Sequence, residues 1–84
     1  MPEFELTRLP VGCLARVASI NAEGAVRNRL LDLGLVPQTV IEAVRRSPAG
    51  DPVAYRIRGA VIALREEESR KITVKPVEEV TVWD

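Results

Sequence analysis

No histidine occurs in this chain, and cysteine occurs once, at Cys13. The first absence removes the commonest general base and the commonest transition-metal side chain. The second removes an intramolecular disulfide, a multi-thiolate zinc cluster and a cysteine–histidine catalytic pair. A single thiol also fits a reducing compartment. There is no glycine-rich phosphate loop, because the five glycines are dispersed at turns. There is no excess of one charge either: twelve basic and twelve acidic residues cancel, which argues against a dedicated nucleic-acid binder. No segment approaches the roughly 20 apolar residues of a membrane span. Met1 to Leu9 carries two glutamates and no apolar run, so no signal peptide is expected. These absences point to a soluble, cytoplasmic, non-enzymatic protein.

What is present is one small domain. Of 84 residues, 46% are hydrophobic, enough for a core, although a chain this short buries only about 60–65% of its unfolded surface. The chain is organised around Arg29-Leu30-Leu31-Asp32-Leu33-Gly34-Leu35-Val36-Pro37. Val26, Leu30 and Leu33 share one helical face, on a helix expected from about Ala25 to Leu33. Gly34 follows where a helix stop wants a residue that accepts positive φ. Counting Gly34 as the first residue past the cap puts Leu35 where a Schellman motif meets Leu30. Pro37 prevents the helix from resuming. Asn21 is placed to cap the helix start.

Strands are expected around this corner. Cys13 to Ile20 alternates, and Ile20 breaks the alternation, which indicates a bulge. Thr39 to Arg46 is followed by Ser47-Pro48-Ala49-Gly50-Asp51-Pro52, a hairpin loop. Val53 to Arg58 returns with Val53, Tyr55 and Ile57 on one face. Gly59 marks a tight turn into Ala60 to Arg65. Glu66 to Ser69 reads as one helical turn, and Ile72 to Val77 closes the set with Ile72 and Val74 inward. Met1 to Glu5 is expected to fray. The fold class is therefore mainly β: a small barrel of about five strands with one short helix after the first strand.

Candidate functional residues are few. Five arginines (Arg45, Arg46, Arg56, Arg58, Arg65) fall between Ala43 and Arg65 against one acid, Asp51. Arg45, Arg56 and Arg58 are the candidate docking residues of this stripe. A hairpin centred near Gly50 brings Arg45 and Arg56 close to opposite each other, a mildly destabilising arrangement. Cys13 reads as a small core or half-buried residue. Glu66-Glu67-Glu68 reads as a solvated turn rather than a cation site. In the tail from Glu78 to Asp84, Val80, Val82 and Trp83 are too apolar for a solvated segment. They are candidates for partner contact or for a closed homodimer.

Taken together, the chain resembles the FeoA family. The matching residues are Leu6, Leu9 and Gly12, then Arg29-Leu30 with Leu33-Gly34-Leu35 and Pro37. They continue through Gly50-Asp51-Pro52, Gly59, Leu64-Arg65, and Ile72 with Val74. The resemblance covers residues 6–76 and leaves 1–5 and 77–84 as terminal extensions. It implies an SH3-like β-barrel, the domain type also found at the C-terminus of repressors of the diphtheria-toxin-repressor kind. It implies a cytoplasmic accessory role in bacterial ferrous iron uptake, with contact to the FeoB membrane transporter and recruitment to the inner membrane face. No cofactor is required on this reading, and Fe²⁺ or Zn²⁺ would bind weakly. A metal-binding or metal-sensing module is the alternative, and an SH3-like nucleic-acid or peptide binder is a third. The family often has glycine after the proline; here Gln38 argues against a type II turn at that place.

Overall fold

The computed structural model describes residues 2–77. Among them lie six strands and two α-helices: β1 (Phe4–Glu5), β2 (Leu14–Ile20), α1 (Gly24–Asp32), β3 (Val40–Arg46), β4 (Val53–Ile57), β5 (Ala60–Leu64), α2 (Glu66–Ser69) and β6 (Ile72–Pro76). A single 3-10 turn, Leu6–Arg8, links β1 to the chain that leads into β2. The strands form one antiparallel sheet in the order β1-β6-β2-β3-β4-β5. The expected small, mainly β fold is present with one strand more than expected. The strand order places β1 and β5 at its two edges, so the sheet curls without closing its hydrogen-bonded ring.

The core follows from alternation. In β4, Val53, Tyr55 and Ile57 are buried while Arg56 is exposed. In β2, Ala15 and Val17 are buried, and then Ile20 is buried out of phase. The register against β6 shifts between Val17 and Ser19, so one extra residue restores Ile20 to the inner side. Leu6 from the 3-10 turn and Leu9 from its C-cap, Leu30 and Leu35 from the helix end, and Ile72 and Val74 from β6 complete the cluster.

The helix–strand corner is built by its backbone. Leu35 N–H donates to the Leu30 carbonyl at 3.1 Å, and Gly34 N–H donates to Leu31 at 2.9 Å. These are the two bonds of a Schellman motif, with Gly34 at φ 104°. Leu30 and Leu35 are both fully buried. Pro37 then begins a turn that Thr39 N–H closes onto the Val36 carbonyl at 3.1 Å, with Gln38 at φ 80°. That is type II geometry, which the glutamine argued against. The neighbouring strand holds Gln38 in place. Its N–H donates to Val17 at 2.7 Å, and its carbonyl accepts Nη1 of Arg16 at 2.9 Å.

Several expectations are corrected. Val26 is 41% exposed, so only the last turn of α1 docks, through Leu30 with Leu31 and Leu33 against the core. Asn21 does not cap the helix. The N-cap is Glu23, without a side-chain bond, while Asn21 Nδ2 donates to Thr73 Oγ1 at 2.8 Å. Phe4–Glu5 does not fray but pairs with β6. Cys13 is exposed, neither core nor half-buried.

Candidate contact face

Arg45, Arg56 and Arg58 lie on or beside the β3–β4–β5 ladder. Cross-strand partners share a face of the sheet, so the register decides where each arginine points. Ala43 pairs with Tyr55, then the register slips by one residue, and Arg45 pairs with Ala54 and Arg46 with Val53. The slip moves Arg45 to the outer face, with Arg56, and turns Arg46 to the inner side beside buried Val53. Arg45 therefore shares the outer face with Arg56, but it lies opposite Ala54, a diagonal step from Arg56 rather than directly across from it. Arg56 sits opposite Glu42 instead and its Nε lies 3.2 Å from Glu42 Oε1. Half-exposed and solvent-screened, this pair contributes little to stability. Arg58 occupies the β4–β5 turn at φ 53°, followed by Gly59 at φ 84°. Two consecutive positive φ values between paired Ile57 and Ala60 define a type I′ hairpin.

The outer face also carries apolar side chains that the residue pattern alone left unnamed. Leu14 is opposite Glu42, Val40 opposite Arg16 and Val61 opposite Arg56. Leu14 and Val61 are each 50% exposed and Val40 is 38% exposed. The available signal was phase: each is a large aliphatic residue on the side of its strand opposite the buried set. An ion pair flanked by exposed aliphatics suits protein contact, where a partly apolar centre is rimmed by charge.

On the inner side, Arg46 borders a small cavity of about 130 Å³ with Thr7, Asp51, Tyr55, Glu66 and Ser69. Its polar groups are largely engaged by the fold. Thr7 donates to Glu5 at 3.0 Å, Asp51 Oδ1 accepts the Glu66 N–H at 2.9 Å, and Ser69 donates to the Arg65 and Glu66 carbonyls at 3.4 Å. Burial pushes the Tyr55 phenol above its ordinary value of 10.0, and the neighbouring Ser69 hydroxyl opposes that only in part. Tyr55 therefore stays neutral at physiological pH and cannot serve as a base there.

The acidic run is tied down as well. Glu68 accepts the Arg65 N–H at 3.1 Å and pairs with Arg29 of α1, while Glu66 lies 3.4 Å from Arg70. Among the described residues, no group of three or more histidine, cysteine, aspartate or glutamate side chains converges. With no histidine and one exposed thiol, the donor set does not fit a closed transition-metal site. Val80, Val82 and Trp83 lie outside the described residues.

The fold and the face define a small SH3-like β domain with an exposed, mixed apolar and charged sheet surface. Its residues 4–76 match the family model described as FeoA domain, and the chain belongs to the FeoA family. A curated relative is the Fe(2+) transport protein A/Fe(2+) transporter FeoB fusion protein of Porphyromonas gingivalis, 36% identical over 72 residues. The match takes in 86% of this chain and 8% of that protein, so this chain spans a small part of the fusion. The solution structure of FeoA from Chlorobium tepidum is 39% identical, with a TM-score of 0.83 over 89% of this chain and 71% of that one. The crystal structure of Stenotrophomonas maltophilia FeoA complexed with zinc is 29% identical, with a TM-score of 0.76 over 86% of this chain and 89% of that one. That protein is described as a prokaryotic SH3 domain protein and a candidate activating factor for bacterial ferrous iron transport.

Proposed function

We propose that this domain is a non-enzymatic accessory protein of bacterial ferrous iron uptake that works by contact with a FeoB-type transporter. The observation that carries the reading is the fusion: a segment 36% identical to this chain is covalently joined to a FeoB transporter in the Porphyromonas protein. Covalent linkage holds two partners at an effective concentration in the millimolar range, which is useful when the free contact is weak. The outer face of the β3–β4–β5 ladder supports the same reading. Arg45, Arg56 and Arg58, with Leu14, Val40 and Val61 between and around them, form a surface suited to a protein partner. Val80, Val82 and Trp83 are proposed as a second contribution to contact. The domain acts in the cytoplasm and is drawn to the inner membrane face by its partner. Among the described residues no helix is long and apolar enough to cross a membrane.

The test is a binding titration of the full chain against the cytoplasmic GTP-binding domain of a FeoB transporter. Saturable binding weakened by Arg45→Glu and Arg56→Glu is expected. No binding to this domain or to the transporter's other cytoplasmic segments would reject the proposal.

The zinc complex of the Stenotrophomonas relative favours a second reading, a metal-binding module. In this chain the lone exposed Cys13 and scattered carboxylates predict weak binding by a single copy. Sub-micromolar Zn²⁺ or Fe²⁺ binding, abolished by Cys13→Ser, would establish the second reading in its place.

A further inference from the structure

The two edges of the sheet are protected very differently. β1 is two residues long, contains Glu5 and follows Pro2 and Glu3. Short length, charge and proline are the devices that keep an edge from pairing with another chain. β5 has none of them. Its five residues, Ala60-Val61-Ile62-Ala63-Leu64, are uncharged and contain no proline, and four of the five are at least partly exposed.

The hairpin fixes which backbone groups are free. In a two-residue type I′ hairpin the pair flanking the turn is hydrogen-bonded, and here that pair is Ile57 with Ala60. Alternation then directs the N–H and C=O of Ala60, Ile62 and Leu64 toward β4. Those of Val61 and Ala63 point outward, two donors and two acceptors on an edge that no described strand covers.

We propose that β5 is a strand-addition site whose occupant is the β5 of a second copy of this chain. The arrangement is an antiparallel pair about a twofold axis at Ile62. In that register Val61 of one copy faces Ala63 of the second, and all four outward groups of each strand are satisfied. The same register brings the Arg58 end of one strand beside the Glu66 end of the other. Arg58 makes no ion pair among the described residues, and Glu66 holds only the exposed 3.4 Å contact to Arg70. Each end of the pairing therefore joins an available cation to an available anion. A symmetric pair closes at two chains and uses up the edge, which stops further growth. The shared area is small, so dissociation constants on the order of 0.1 to 1 mM are expected. The inference does not depend on the transporter reading.

Amide hydrogen exchange and sedimentation of the full chain across a concentration series test it. The amides of Val61 and Ala63 should slow as concentration rises, while those of Ala60, Ile62 and Leu64 remain protected throughout. Val61→Pro removes an outward N–H and no bond to β4, so the domain should fold while self-association weakens at least about tenfold. Arg58→Glu should weaken association as well, and Arg58→Glu with Glu66→Arg should restore it. A chain monomeric at millimolar concentration overturns the proposal, as it would if the tail covered β5 within one copy. Association unaffected by Val61→Pro, or Arg58→Glu not rescued by the charge swap, overturns it too.

Discussion

The Leu30–Thr39 corner and the outer side of the β3–β4–β5 ladder use their residues in opposite ways. In the corner, Leu30 and Leu35 are fully buried and every turn of the backbone is closed by a hydrogen bond. On the ladder, Arg45, Arg56 and Val61 are exposed and the Glu42–Arg56 pair is screened by water. The corner holds the fold; the outer side chains of the ladder contribute little to it and stand exposed among the described residues. The two meet at Gly34, where an added Cβ would lie 3.1 Å from Ile57 Cγ2 and 3.6 Å from Arg58 Cδ. A side chain added at Gly34 would therefore press on the end of β4 and on Arg58.

Substitutions should separate the two regions. Leu30→Ala empties a fully buried site and should cost about 2–5 kcal/mol in urea melts, enough to threaten folding of a domain this small. Gly34→Val places a β-branched residue at φ 104° against Ile57 and should cost about 2–3 kcal/mol. An unchanged midpoint in either variant would mean that the corner does not hold the fold.

Tyr55 gives a pH signature of the core under the ladder. Its phenol is raised above the ordinary value by burial, so the neutral form is favoured in the folded state. The stability this confers is complete below pH 10.0 and is lost as pH rises through the higher folded value. Urea midpoints measured from pH 9 upward should therefore fall at the alkaline end, and Tyr55→Phe should flatten the decline.

Gln38 is the one place where the corner pays for its shape, since a non-glycine residue sits at φ 80°. Its two observed bonds to β2 use backbone atoms of Gln38 only. Gln38→Gly should keep both and raise stability by about 0.5–1 kcal/mol. A loss of stability would show that the glutamine side chain contributes something those bonds do not.

The same contrast explains what could be read from the residues. The Schellman stop is local: leucine, glycine, leucine and proline at fixed spacing dictate it within one turn of chain. The bulge in β2 was visible because Ile20 is apolar out of phase. The ladder depends on register, and the slip between Ala43 and Arg45 leaves no mark in composition. One residue of slip put Arg45 on the outer face with Arg56 and sent Arg46 to the inner side. β1 was illegible for a related reason, since two residues form a strand only because β6 is there to pair with them. Asn21 has the chemistry of a cap, but a long-range partner, Thr73, takes its amide. Cys13 fits an apolar alternation, yet it lies just before β2 begins, where the chain is exposed.

The smallest effects on folding belong to the arginines, and there the functional claim is most open to test. Arg45→Glu and Arg56→Glu should each move the urea midpoint by no more than about 0.5 kcal/mol. The direct measurement is calorimetric titration of the full chain, and of these two variants, into the cytoplasmic GTP-binding domain of a FeoB transporter. The unaltered chain should bind saturably, and the variants at least about tenfold more weakly. Binding of equal strength by all three would contradict the assignment of the ladder as the contact face, and no binding by any of them would contradict the transporter-domain contact itself.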